Sequence, residues 1–284
     1  MLYRNADLEF TARHRETLLE NDIRTLYLDI SDQRGYGQYI EENIGTLVAD
    51  PAMPSHRKAD LIYSVSKGVL LDVFENPRSS DLVQRTTKIT GPTVEYLLKG
   101  KDSLQNLIAI MSYDYYTFTH SINVCVLSVA LANQIGLNNQ EDLNNLANGA
   151  LLHDIGKSEI PKEILNKAGP LTPDEFAIMK QHVVFGEKIV AENHKLNADS
   201  VLALAQHHEK ANGKGYPRGL CLDETHLHGR IVSIVDCFDA MTTHRIYQPA
   251  RGAFEALHLM KGKLYESYDQ ELLGTLIQLL VKVK

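Results

Sequence analysis

The stretch His153-Asp154-Ile155-Gly156-Lys157 follows directly on Gly149-Ala150-Leu151-Leu152, so a cluster of titratable side chains closes an apolar helical run. A buried carboxylate without a partner costs several kcal/mol, so this abrupt change asks for a compensating group. The same thing happens again at His207-His208-Glu209, which ends the run Val201-Leu202-Ala203-Leu204-Ala205. Two neutral imidazoles at one helical end suit a borderline transition metal. Three more residues sit in comparably apolar settings. His182 lies among Phe176, Met179, Val183 and Phe185; His120 precedes Val124 and Leu127; Asp236 follows Ile231-Val232-Ser233-Ile234-Val235. These seven side chains suffice for two metal ions if Asp154 bridges. Two ions roughly 3.5 to 4 Å apart activate water and neutralise phosphoryl oxygens, which points to phosphoester hydrolysis. Lys157, three positions after Asp154, projects from the same turn and is placed to hold a phosphate or help the leaving oxygen.

Outward from these clusters the chain reads mainly as helix. Apolar residues recur at three- and four-residue spacing over 59–74, 82–98, 115–134, 143–152, 173–193, 199–208 and 230–242, the pattern of a helical bundle. Thr172-Pro173-Asp174-Glu175 supplies a cap, a first-turn proline and acids at one helix start. The best strand is 25–30, followed by the turn-rich Ser31-Asp32-Gln33-Arg34-Gly35. A small α/β regulatory or partner-binding domain over 1–80 is therefore expected before a helical domain over 81–284, with the boundary near Asn76-Pro77-Arg78-Ser79-Ser80.

Composition narrows the function. With 284 residues, 44% hydrophobic and 23% charged, the chain has the make-up of a folded globular protein. A net charge of -7 argues against a surface that neutralises duplex nucleic acid. Cys125, Cys221 and Cys237 form no CxxC pair, so neither a disulfide framework nor a thiolate zinc site is expected. Asp7 and Glu9 interrupt any leader-like apolar start, and no run reaches the roughly 18 residues of a membrane span. A cytoplasmic protein without a membrane span is expected.

His153-Asp154-Ile155-Gly156-Lys157, Ile160-Pro161, the run 164–172, His207-His208-Glu209 and Gly213-Lys214-Gly215-Tyr216-Pro217-Arg218-Gly219-Leu220 stand in the order of the HD-GYP family of cyclic-di-GMP phosphodiesterases, which the chain resembles from about residue 115 to 269. The resemblance implies a helical HD-domain fold and two ions, iron first and manganese second. It implies one ligand set of His120, His153, Asp154 and Asp236, and another of Asp154, His182, His207 and His208. It places Gly215, Tyr216 and Pro217 against substrate and Arg245 on its phosphate, where a guanidinium suits a bidentate contact. The expected reaction opens cyclic-di-GMP to pGpG or GMP, with Asp154 and Lys157 as catalytic residues.

Departures qualify this. Asn212 stands where the family usually has Asp, and Ile246 and Gln248 where it usually has proline and lysine, so slow turnover is expected. Tyr116 replaces a glutamate ligand of trinuclear members, which favours two metals. The alternatives are a low-activity binding or protein-interaction module, with a signalling protein as its partner, and a hydrolase of another nucleotide. His226, His228, His244 and His258 read as solvated or locally bonded, Cys237 as a small core residue, and Tyr113, Tyr115, Tyr116 and Phe118 as helix packing first and the lining of a nucleobase pocket second.

Overall fold

The computed structural model describes residues 11–111, 117–193, 196–244 and 250–283, and among them the chain is helical with no strand. In chain order the helices are α1 (Ala12–Glu20), α2 (Gln33–Ala49), α3 (Ser55–Glu75), α4 (Leu82–Leu97), α5 (Lys101–Ile110), α6 (Thr117–Gln134) and α7 (Gln140–Leu152). They continue with α8 (Lys162–Leu165), α9 (Pro173–Met179), α10 (His182–Asn193), α11 (Ala198–Gln206), α12 (Leu227–Thr242), α13 (Ala253–Lys261) and α14 (Gln270–Val283). Short 3-10 turns cover Ile155–Glu159 and Leu222–Glu224.

The chain falls into two compact units, 1–39 and 40–284. In the first, the strand expected at 25–30 is absent, and with it the α/β character of the N-terminal region. Its β-forming residues meet no partner: Tyr27 is 93% and Ile30 86% exposed. A lone strand leaves its backbone polar groups unpaired, so β-propensity does not suffice. Asp29 instead accepts from Ser31 N at 2.9 Å and turns the chain into a short 3-10 segment at Ile30–Asp32.

In the second unit one contiguous core runs from Ile44 through Leu279. Residues 77–81 form a turn between α3 and α4, and the boundary expected near residue 80 falls at that turn, inside this unit. The two flanking helices share the core: Ile62 and Leu70 of α3 and Leu82 and Ile89 of α4 are all essentially inaccessible. Arg85 of α4 adds a bidentate pair to Glu41 of α2 at 2.9 and 2.8 Å, and Tyr96 Oη donates to Ser55 O at 2.8 Å. Helix α6 lies deepest, with every residue from Thr119 to Ala132 buried, and packs on α7 and α12.

The helix expected over 173–193 is broken. Its start is as read, with Thr172 Oγ1 accepting from Glu175 N at 3.2 Å and Glu175 accepting in return from Thr172 N at 2.7 Å. It stops after Met179, and α10 begins at His182. The break lets the Met179 carbonyl accept from His182 Nδ1 at 2.7 Å, an exchange of helix continuity for a fixed imidazole.

Candidate metal centre

Five helices deliver the candidate ligands to one place. His120 stands in the first turns of α6, His153 and Asp154 just past the end of α7, His182 at the start of α10, His207 and His208 just past α11, and Asp236 within α12. Ligand atoms of His182, His207 and His208 lie within 4.8 Å of one another, as do those of His120, His153 and Asp236, and those of His153, Asp154 and His207.

Close backbone approach makes this convergence possible. Gly156 sits against α10 so tightly that a Cβ there would stand 1.9 Å from His182 O and 2.4 Å from Gly186 N. Only glycine lets the turn after Asp154 reach His182.

Three imidazoles are oriented in one way. His153 Nδ1 lies 2.7 Å from Ala150 O, His182 Nδ1 2.7 Å from Met179 O, and His207 Nδ1 2.5 Å from Leu204 O. Each ring therefore donates Nδ1–H to the carbonyl three residues back, and its Nε2 turns a lone pair inward. His120 differs, because its Nδ1 is 2.7 Å from Asp239 Oδ2. Asp239 is buried and accepts from Asn123 Nδ2 at 3.0 Å and Thr243 Oγ1 at 3.2 Å. A carboxylate behind a ligating histidine fixes the ring and raises its basicity.

The inward lone pairs meet no proton. His182 Nε2 and His207 Nε2 face each other at 3.3 Å. Among the described residues, His153 Nε2 and Asp154 Oδ1 are buried without a hydrogen-bond partner. Facing acceptors and orphaned buried polar atoms are costly unless a cation lies between them, so the residues present fit a metal.

Asp154 presents its two oxygens to different groups. Oδ2 lies 3.3 Å from His153 Nε2 and 3.8 Å from His120 Nε2, while Oδ1 lies 3.4 Å from His182 Nε2. Asp236 Oδ1 is 3.0 Å from His120 Nε2, and its Oδ2 is 3.8 Å from His208 Nδ1. Lys157 Nζ contacts Asp154 Oδ2 at 2.5 Å. The walls are almost wholly buried, whereas the side chains of Lys157, His208 and Asp236 keep 15%, 26% and 13% of their surface exposed. That side is the mouth.

Electrostatics agree. Burial would raise the Asp154 carboxyl, but Lys157 and the neighbouring His153 and His182 hold it well below the ordinary carboxylate range. Asp236 is likewise held low against burial by the His120 bond. Burial lowers His182 to about 4, lowers His208, and with His208 beside it lowers His207 strongly. Neutral imidazoles and ionised carboxylates are the ligand states a metal requires.

The loop 213–220 closes one edge. Gly215 passes so near residue 209 that a Cβ would stand 2.5 Å from Glu209 Cα. Tyr216 N donates to His208 O at 3.1 Å, which ties the loop to the histidine pair. Both oxygens of the buried Glu209 carboxylate accept from the same loop, from Arg218 N at 2.7 Å and Leu220 N at 2.9 Å. Asn212 Oδ1 accepts from Lys214 N at 3.1 Å. The Tyr216 ring lies 4.6 Å from that of His208, and burial raises its phenol. Arg245, Ile246, Gln248, Tyr113, Tyr115 and Tyr116 lie outside the described residues. Asp239 and Glu209 support the site in ways that sequence reasoning missed. The available signal for Asp239 was its place three residues after Asp236, on the same helical face.

A family model described as HD domain matches residues 102–272. A cyclic di-GMP phosphodiesterase of Pseudomonas aeruginosa is 32% identical over 206 residues, covering 72% of this chain and 50% of that protein. One of Thermotoga maritima is 34% identical over 203 residues, covering 68% and 55%. A 3′3′-cGAMP-specific phosphodiesterase of Vibrio cholerae is 32% identical over 221 residues, covering 73% and 47%. The chain thus spans about half the length of these relatives. A solved HDG"Y"P protein of Bdellovibrio bacteriovorus superposes with a TM-score of 0.74 at 23% identity, covering 89% of this chain and 82% of that one, which shows a shared fold.

Proposed function

The chain belongs to the HD domain family, in its HD-GYP branch, and on that premise we propose that it is a metal-dependent phosphodiesterase that opens cyclic di-GMP to pGpG or GMP. The observation that carries the reading is the pair of inward lone pairs at 3.3 Å on His182 and His207, with the two Asp154 oxygens turned to different histidine groups. This arrangement supports two ions, one on His120, His153, Asp154 and Asp236 and the other on Asp154, His182, His207 and His208. Iron is the first choice and manganese the second, as the family resemblance implies. When bound, such ions supply an activated water and neutralise phosphoryl oxygens.

The chain's own residues do the rest. Asp154 would be shared by both ligand groups, with one oxygen turned to each. Lys157, at the mouth, passes from Asp154 to a phosphate oxygen and stabilises the leaving oxygen as the ester bond to phosphorus breaks. Gly215 lets the loop come close, Pro217 shapes it, and Tyr216 presents its ring to the substrate. Arg245 is assigned a phosphate contact on the family pattern alone. A cytoplasmic location and a signalling partner for the N-terminal region belong to the same proposal; no helix among the described residues is long and apolar enough to cross a membrane.

The test is product analysis with iron- or manganese-loaded protein and either cyclic di-GMP or 3′3′-cGAMP, with Asp154→Ala as control. Linear guanine nucleotides formed by the wild type and not by the variant are expected. Faster cleavage of 3′3′-cGAMP would move the substrate assignment, and binding without cleavage of either would make the chain a cyclic-dinucleotide sensor.

A further inference from the structure

A cavity of about 550 Å³ opens between the residues around α8 and one face of α9, within the roughly 300 to 1,000 Å³ usual for small-molecule sites. Ile164, Leu165, Leu171, Phe176 and Met179 make its lining chiefly apolar. Lys167 stands at the wall with its charge already matched by Glu175 at 2.5 Å.

Two lining residues connect the cavity to the metal centre. Met179 holds the His182 ring through its carbonyl. Phe176 meets Tyr216 edge-on at 6.4 Å between centroids, and Tyr216 lies 4.6 Å from His208. A series of rings therefore runs from a candidate metal ligand to the cavity. Phe176 remains 48% exposed, so the ring keeps surface in water that a stacked partner would cover. Lys180 Nζ stands 5.5 Å from the Phe176 ring centre and 5.9 Å from that of Tyr216, a cation held at the aromatic surface.

Resting on the phosphodiesterase reading of the adjacent centre, we propose that this cavity is a nucleobase subsite. The purine of the nucleotide whose phosphate occupies the metal centre stacks on Phe176 against the apolar wall, and Lys180 donates to its acceptor edge. Guanine presents O6 and N7 as acceptors on that edge, whereas adenine presents a donor at N6, so Lys180 favours guanine.

The experiment is calorimetric titration of manganese-loaded protein with GMP, AMP and inorganic phosphate, for the wild type, Phe176→Ala, Phe176→Tyr and Lys180→Met. GMP is expected to bind at least tenfold more tightly than phosphate. Phe176→Ala should lose about tenfold for GMP, the usual scale of a base–aromatic stack, and Phe176→Tyr should restore it. Lys180→Met should bring GMP and AMP close to equal affinity. The proposal is overturned if GMP binds no better than phosphate, or if Phe176→Ala binds GMP as the wild type does. If cyclic di-GMP is not hydrolysed while the Phe176-dependent preference for GMP persists, the reaction assignment fails and the subsite stands.

Discussion

The Nε2 atoms of His182 and His207 face each other at 3.3 Å, and each ring has already committed its Nδ1 proton to a backbone carbonyl. Two lone pairs at that distance repel, so the arrangement is built around a positive charge rather than around a hydrogen bond. Asp154 places one carboxylate oxygen on this side and the other toward His120 and His153.

Asp154→Ala should therefore disturb both ions, not one. Metal analysis after anaerobic loading is expected to give two ions per wild-type chain and fewer than one for the variant. Two retained ions in the variant would remove Asp154 as the bridge.

Asp239→Asn addresses the other side. Asp239 bonds His120 of the first ligand set, so the substitution should weaken that ion by roughly 10- to 100-fold, the usual cost of a lost supporting carboxylate. Titration of metal-free protein should show one affinity reduced and the other retained. Equal weakening of both would mean that Asp239 acts through the fold as a whole.

Gly215→Ala should displace the loop at Tyr216, because the added carbon has no room beside Glu209 Cα and His208 O. Hydrolysis is expected to fall at least tenfold with both ions retained. Unchanged turnover would show that the loop moves aside at no cost.

The metal-free protein should lose stability as the pH falls from about 7 toward 5. Burial holds His182 at about 4 in the folded chain, below its ordinary value near 6.5, so the unfolded chain binds more protons throughout that window. His207 and His208 shift in the same direction. Thermal unfolding followed by circular dichroism should show Tm falling by several degrees. A flat Tm would mean that the ligand imidazoles already accept protons in the folded state.

A chain that begins at Arg78 should fail to fold. It lacks α3, whose Ile62, Val69, Leu70 and Val73 are buried, and such side chains contribute roughly 1.5 to 3 kcal/mol each against a total stability of about 5 to 15 kcal/mol. Soluble, helical protein with two ions would instead make residues 1–80 a separable unit.

Much of the site was legible because its chemistry contradicts its surroundings. His153-Asp154 and His207-His208 stand out at the ends of apolar runs, and the structure brings them together with His120, His182 and Asp236. Asp239 was harder to read because a carboxylate that serves an imidazole looks, in sequence, like any acid on a helix. The break between α9 and α10 was hidden because periodicity continues across it; the carbonyl taken by the His182 ring is a tertiary fact. At 25–30 the error ran the other way, since local β-forming residues cannot supply the partner strand.

Helix α6 is enclosed from Thr119 to Ala132, whereas α9 buries none of its residues. In terms of amide hydrogen exchange these are opposite ends of a protection scale, the first opening only with the whole fold and the second by local fraying. His120 rides on the slow element, and His182 is held by a carbonyl at the end of the fast one. The amides of α6 should therefore exchange far more slowly than those of α9, which makes the His120 side the stationary half of the centre.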